Sequence, residues 1–127
     1  MKHARLTRYE LELMDVLWRL GEGTVQDVSD QLERPLAYTT VMTTLRLLHS
    51  KKKVLKRIKR SRAYVYRPTV TRDEVSRTVF ADLHDVLFRD QLPSLMLGMI
   101  EDGTFSEQDV KALKSALRKV EREGPEK

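Results

Sequence analysis

The stretch "VLKRIKRSRAYVYRP", Val54 to Pro68, decides how the rest of the chain is read. Val54–Lys59 and Ala63–Arg67 are strand-like, and the basic run "KRSR" turns the chain between them. Alternation is clear in the second segment. Tyr64 and Tyr66 fall on one face, and Ala63, Val65 and Arg67 on the other. A two-stranded hairpin is marginal by itself in water. It needs a body to pack on, and three helical segments precede it.

The nearest of these is "AYTTVMTTLRLL", Ala37 to Leu48, running to about Ser50. Val41, Leu45 and Leu48 recur at helical spacing and face a core, with Leu47 as a further candidate. Thr39, Thr40, Thr43 and Thr44 are mediocre helix formers, because the β-branch restricts χ1. Further upstream, "ERPL" is a turn, since Pro35 disfavours helix in the residue before it. Thr24 caps a short helix with Val25, Val28 and Leu32 inward. Thr7 with Glu10 reads as a capping box for a first helix. Its apolar face is Leu11, Met14, Leu17 and Trp18, extended by Leu20, and Gly21 and Gly23 stop it. Helix, helix, helix, hairpin is the order of a winged helix-turn-helix.

Downstream the pattern is helical. Thr71 with Glu74 is another capping box, opening a helix to about Phe88 with Val75, Val79, Leu83 and Val86 on one face. Pro93 suits the first turn of a helix to Ile100, whose apolar positions are Leu92, Leu95, Met96, Met99 and Ile100. Gly103 breaks it. Ser106 caps a last helix with Val110, Leu113, Leu117 and Val120 as a short seam. Fewer than 60 residues in three striped helices do not easily make a core of their own. They fold back on the winged helix or pack against a second copy, and the second copy is preferred. The predicted architecture is mainly α with a small β-hairpin wing. Residues 1–70 form a DNA-binding domain and residues 71–127 a helical dimerisation region.

Composition narrows the class. With 127 residues the chain is one domain, or one small domain with an appendage. It has no cysteine, so disulfides, thiolate chemistry and zinc-finger ligation are excluded. No run approaches a membrane span, the opening "MKHARLTRYE" lacks the apolar run of a secretory leader, and a cytoplasmic setting is expected. The net charge of +5 is uneven. Residues 1–70 hold 15 Lys and Arg against 7 Asp and Glu, a balance of +8; residues 71–127 hold 9 against 12, a balance of −3. The basic half is the one suited to a polyanion. His3, His49 and His84 lack ligand-like spacing, so neither metal nor cofactor is expected. No paired carboxylates, nucleophile with base, or glycine-rich phosphate loop is recognisable, so no enzyme is expected.

"LTRYELELMDVLW", "TVQDVSDQL", "AYTTVMTTLRLL" and "RAYVYRPTVTRDE" together resemble the penicillinase-repressor family, of BlaI/MecI type, which includes the CopY-type copper repressors. The likeness is strong from Leu6 to about Thr78 and weaker to the last helix. It implies a dimeric transcriptional repressor with an N-terminal winged helix, binding inverted repeats with TACA/TGTA-like half-sites. It also implies, for several members, release by a regulatory protease after a membrane sensor detects β-lactam, a link to antibiotic resistance. The staphylococcal scissile Asn-Phe aligns with Gly98-Met99, the candidate cleavage point here. The copper repressors' cysteine motif is absent. Lys52 stands where family members have Gly or Asn; a left-handed backbone there costs a lysine about 1 kcal/mol relative to Gly.

In this frame the threonine helix has two sides. Thr39, Thr40, Met42, Thr43 and Arg46 are the candidates for base or groove contact, and Thr44 is assigned to structure. A threonine hydroxyl donates or accepts, and its methyl packs on thymine's C5-methyl. Tyr38, Lys51, Lys59, Arg60 and Arg62 are the candidates for phosphate contact through helix end and wing. Tyr64 and Tyr66 are read as wing packing in preference to DNA contact, and Trp18 as core. The dimerisation set is Val75, Val79, Leu83, Val86, Leu92, Leu95, Met96, Met99, Val110, Leu113, Leu117 and Val120. The expected partners are a double-stranded DNA operator, a second copy and a regulatory protease, with no membrane. Two rivals stay open: a winged-helix protein-interaction module, and a ligand- or metal-responsive regulator sharing the DNA head.

Overall fold

The computed structural model describes residues 5–124. His3, and the first residues of the segment read for a leader, lie outside them. The order is α1 (Arg8–Leu20), α2 (Val25–Gln31), α3 (Tyr38–Ser50), β1 (Leu55–Arg60), β2 (Ala63–Pro68) and α4 (Arg72–Leu83). A π-helical turn (His84–Phe88) and a 3₁₀ turn (Arg89–Gln91) follow, then α5 (Leu92–Glu101) and α6 (Glu107–Glu123). The fold is mainly α with one antiparallel hairpin, a winged helix-turn-helix followed by further helices.

Local chemistry sets these boundaries. The Thr7 hydroxyl accepts from Glu10 N–H at 3.1 Å while the Glu10 carboxylate accepts from Thr7 N–H at 2.7 Å. That reciprocal cap starts α1, and Gly21 ends it at φ 88, a left-handed exit that suits glycine. The same device starts α2 with Thr24 and Asp27, and α6 with Ser106 and Asp109. Thr71 and Glu74 exchange the same two bonds ahead of α4. α3 has no side-chain cap, since its N-cap is Ala37.

The chain divides into two compact units, Met1–Leu83 and His84–Lys127. The first unit owns the core. Leu13, Met14, Val16 and Leu17 of α1 meet Val28 of α2, Val41, Leu45 and Leu48 of α3, and Val54, Leu55 and Tyr66 of the hairpin. Leu13 and Val16 thus join Met14 and Leu17 in the α1 core face, while Leu20 is exposed. Trp18 sits at the core's rim, half-buried, with Nε1 donating to Val70 O at 2.9 Å and the Arg72 guanidinium 5.0 Å from its ring. Leu47 is exposed and does not join the core.

α4 belongs to this first unit. Val75, placed by periodicity in the dimerisation set, is only 5% exposed and packs in the same core as Leu6 and Val70. It is corrected to a core residue: one turn beyond the Thr71 cap, it closes the apolar cluster of its own unit. Val79 leans on the same cluster.

In the second unit no described side chain is buried, although α5 and α6 are apolar on one side. Val86 is 79% exposed and Leu117 63%. The π-helical turn widens the helix at His84–Phe88, and Arg89 follows at φ 41, an unfavourable backbone for a side-chain-bearing residue. Among the described residues, no helix is long and apolar enough to cross a membrane.

Candidate nucleic-acid interface

α3 is split lengthwise. Val41, Leu45 and Leu48 are fully buried, while Tyr38, Thr39, Thr40, Thr43 and Arg46 are exposed and Met42 is half-buried. Helical geometry brings residues three and four apart onto one face, so Thr39, Thr43 and Arg46 line up, as do Thr40 and Thr43. Thr44 turns inward along its own helix, its hydroxyl donating to Thr40 O at 2.9 Å. The exposed surface thus offers three free hydroxyl–methyl groups, one thioether and one guanidinium.

The exit from α3 differs from expectation in one residue. The left-handed position is Lys53, at φ 59, and not Lys52. Lys52 instead sends Nζ to Glu10 Oε1 at 2.8 Å and to Arg5 O at 2.6 Å. The reversal falls one residue on, at Lys53, after which Val54 N–H bonds back to Leu48 O at 3.0 Å.

The wing pairs Arg57 with Tyr66, Ile58 with Val65, Lys59 with Tyr64 and Arg60 with Ala63, leaving Ser61 and Arg62 as a two-residue turn. Ser61 takes φ 59, the geometry such hairpin turns demand. Gly23 and Tyr66 exchange backbone bonds at 3.0 and 2.8 Å, tying β2 to the α1–α2 connection. At Gly23 an added Cβ would lie 3.2 Å from the Asp27 Cβ, so the close approach suits glycine.

The hairpin's two faces differ in charge. On one, Glu22 accepts from both Arg60 and Arg67. Those two guanidinium groups, Arg67 first, hold the Glu22 carboxyl below its usual range. Arg60, expected to be a free wing cation, therefore shares its charge with Glu22. Nothing in the sequence pattern signals a partner 38 residues away. On the other face Arg57 lies 4.1 Å and Lys59 5.9 Å from the Tyr64 ring. The two tyrosines share that face but not a role. Tyr66 is buried, edge-on to the His49 ring at 6.5 Å, whereas Tyr64 is 42% exposed. Lys51, Lys59 and Arg62 are exposed, as is Lys56.

A three-helix body whose third helix shows a polar outer side, next to a cation-rich hairpin, defines a winged helix-turn-helix protein. A family model described as penicillinase repressor matches residues 6–119. The chain belongs to the penicillinase repressor family. Over 84 residues it is 42% identical to the "Transcriptional regulator BlaI" of Mycobacterium tuberculosis, in each of two strains. That match covers 64% of this chain and 60% of the relative's length. A solved structure described as the mechanism for regulation of DNA binding of Bordetella bronchiseptica BpsR by 6-hydroxynicotinic acid is also similar. The likeness covers 91% of this chain and 75% of that one, at 18% identity and a TM-score of 0.46, too loose to bear on function.

Proposed function

We propose that the chain is a dimeric transcriptional repressor, with α3 lying in the major groove of an inverted-repeat operator. The observation that carries this reading is the division of α3. Three threonines that cost helix propensity stand outward, over an apolar side that is buried completely. The helix N-terminal half faces base edges in this motif, and threonine suits thymine-containing half-sites such as TACA/TGTA. Thr39, Thr40, Met42, Thr43 and Arg46 make the groove contacts. Tyr38, Lys51, Lys59 and Arg62 meet phosphates, and Arg60 joins them by exchanging Glu22 for a phosphate.

The second copy is supported by the second unit. Its apolar side chains, among them Val86, Leu95, Leu117 and Val120, stand exposed with nothing buried beneath them. An isologous pairing through Val86, Leu92, Leu95, Met96, Met99, Val110, Leu113, Leu117 and Val120 removes that surface from water, with Val79 and Leu83 as further candidates. Release by a protease at Gly98-Met99 requires α5 to open, because Gly98 O and Met99 O accept from Asp102 and Thr104 N–H at 3.0 Å each. In this role the chain is a cytoplasmic repressor acting on DNA and not an enzyme.

Selection of duplexes from a random DNA pool tests it. The expected product is an inverted repeat with half-sites about one helical turn, or a multiple of it, apart. A pool that remains unenriched, with the protein folded, overturns the reading.

A further inference from the structure

On one face of the wing, cations lie against an aromatic ring, Arg57 the nearer of them. We infer that Tyr64 is a positioning residue that holds Arg57 ready for a DNA phosphate; the inference rests on the DNA-binding reading above. Arg57 Cζ lies 4.1 Å from the Tyr64 ring centroid, a stacking distance, with Lys59 Nζ 5.9 Å from the same ring. The register explains the contact. Lys59 sits directly opposite Tyr64, and Arg57 is opposite Tyr66, so all four share one face and Arg57 reaches Tyr64 diagonally.

That face adjoins α3. Tyr66 meets the His49 ring, and His49 Nδ1 donates to Leu55 O at 3.1 Å, so the last turn of α3 is fastened to the wing. Tyr64 lies two residues further toward the tip on the same face and is exposed. The contrast with the opposite face is chemical. There Arg60 and Arg67 share the single carboxylate of Glu22. Among the described residues, no carboxylate is seen paired with Arg57 or Lys59, and Tyr64 is the group both lie against. A stacked guanidinium keeps its N–H edge free, and that edge matches a phosphate bidentately. Stacking also removes rotamer freedom before binding, so less is lost on contact. Strand alternation puts Lys56 and Arg57 on opposite faces, so a regular strand turns only one of them to DNA, and the sequence does not say which.

The test uses the full chain and a duplex selected by the wild-type protein from a random pool. Arg57→Ala is expected to weaken binding roughly 10-fold and lower the salt slope by about 1. Tyr64→Leu is expected to weaken it roughly 2- to 5-fold, and Tyr64→Phe, which keeps a π face, to bind as wild type. In the Arg57→Ala background, Tyr64→Leu is expected to add nothing, since the two act as one unit. Additive losses overturn the inference, as does a silent Arg57→Ala or a Tyr64→Leu effect that Phe does not rescue. Thermal unfolding of each variant separates a misfolded wing from a lost contact. A Tyr64→Leu chain that fails to fold leaves the Phe comparison and the Arg57→Ala salt slope to decide. If the wild-type chain binds no duplex, the DNA-binding reading falls along with this one. If it binds and the variants are silent, only this inference falls.

Discussion

Lys52 Nζ lies 2.8 Å from Glu10 Oε1, so the chain just past the C-cap of α3 is fastened to the cap of α1. Both side chains are largely withdrawn from water. Burial pushes the Glu10 carboxyl up, but Lys52 and the Thr7 backbone N–H outweigh it and hold it below the usual 4.5. A carboxyl depressed in the folded state stabilises the fold above its ordinary value and loses that contribution as pH falls through the folded one. Glu10→Gln should therefore cost about 1–3 kcal/mol near neutrality. The gap from wild type should close as pH drops below 4.5. Urea unfolding at several pH values measures this; a gap independent of pH contradicts it.

Lys53 is a side-chain-bearing residue in a left-handed backbone, at φ 59. Lys53→Gly should stabilise the fold by about 1 kcal/mol, because glycine has no Cβ to clash. The measure is the urea midpoint at unchanged slope. A loss of stability would mean the position is governed by something other than backbone strain.

The two lysines also show where sequence reading stops. The family resemblance, with Gly or Asn at the exit from α3, points to a left-handed residue there but places it at Lys52, one residue early. The Lys52 amine meets a partner 42 residues away, a contact that no local pattern records. The same holds for Arg60 and Glu22. By contrast, the caps at Thr7, Thr24, Thr71 and Ser106 depend on residues within one turn, and each was legible. On α1, Met14 and Leu17 are core and Leu11 and Trp18 pack against it as periodicity expects, but Leu13 and Val16 are missed and Leu20 is exposed, because an apolar run from Leu11 to Leu17 does not define the stripe's edges. Val75 was assigned to a partner because its spacing fits Val79 and Leu83; only packing reveals that it closes its own core. The π-helical turn at His84–Phe88 has no sequence signal of its own.

Gly98 lies inside α5, and an added Cβ there meets nothing within 4 Å. Gly98→Ala should stabilise α5 by about 1 kcal/mol through helix propensity. If release depends on α5 opening, the same substitution should slow cleavage at Gly98-Met99. Hydrogen exchange of the α5 amides follows the first effect, and mass spectrometry of the fragments the second. Unchanged α5 protection in Gly98→Ala contradicts the prediction.

Leu117 is 63% exposed on α6. Leu117→Glu should shift the chain from dimer to monomer in sedimentation equilibrium. Binding to an inverted repeat should fall, while the first unit keeps its far-UV signal and thermal midpoint. A chain that sediments as a monomer before any substitution contradicts the pairing proposed for this face.

The most direct test of the account is the specificity ratio of Thr43→Ala, the affinity for a selected duplex over that for random duplex. Alanine is the better helix former, so α3 should be no less stable. The ratio should fall roughly 5- to 100-fold, with random-duplex affinity unchanged. Thr44→Ala, whose hydroxyl is spent on Thr40 O, should leave the ratio as it was. Equal weakening of selected and random duplexes by Thr43→Ala would contradict the claim that the outward side of α3 reads bases.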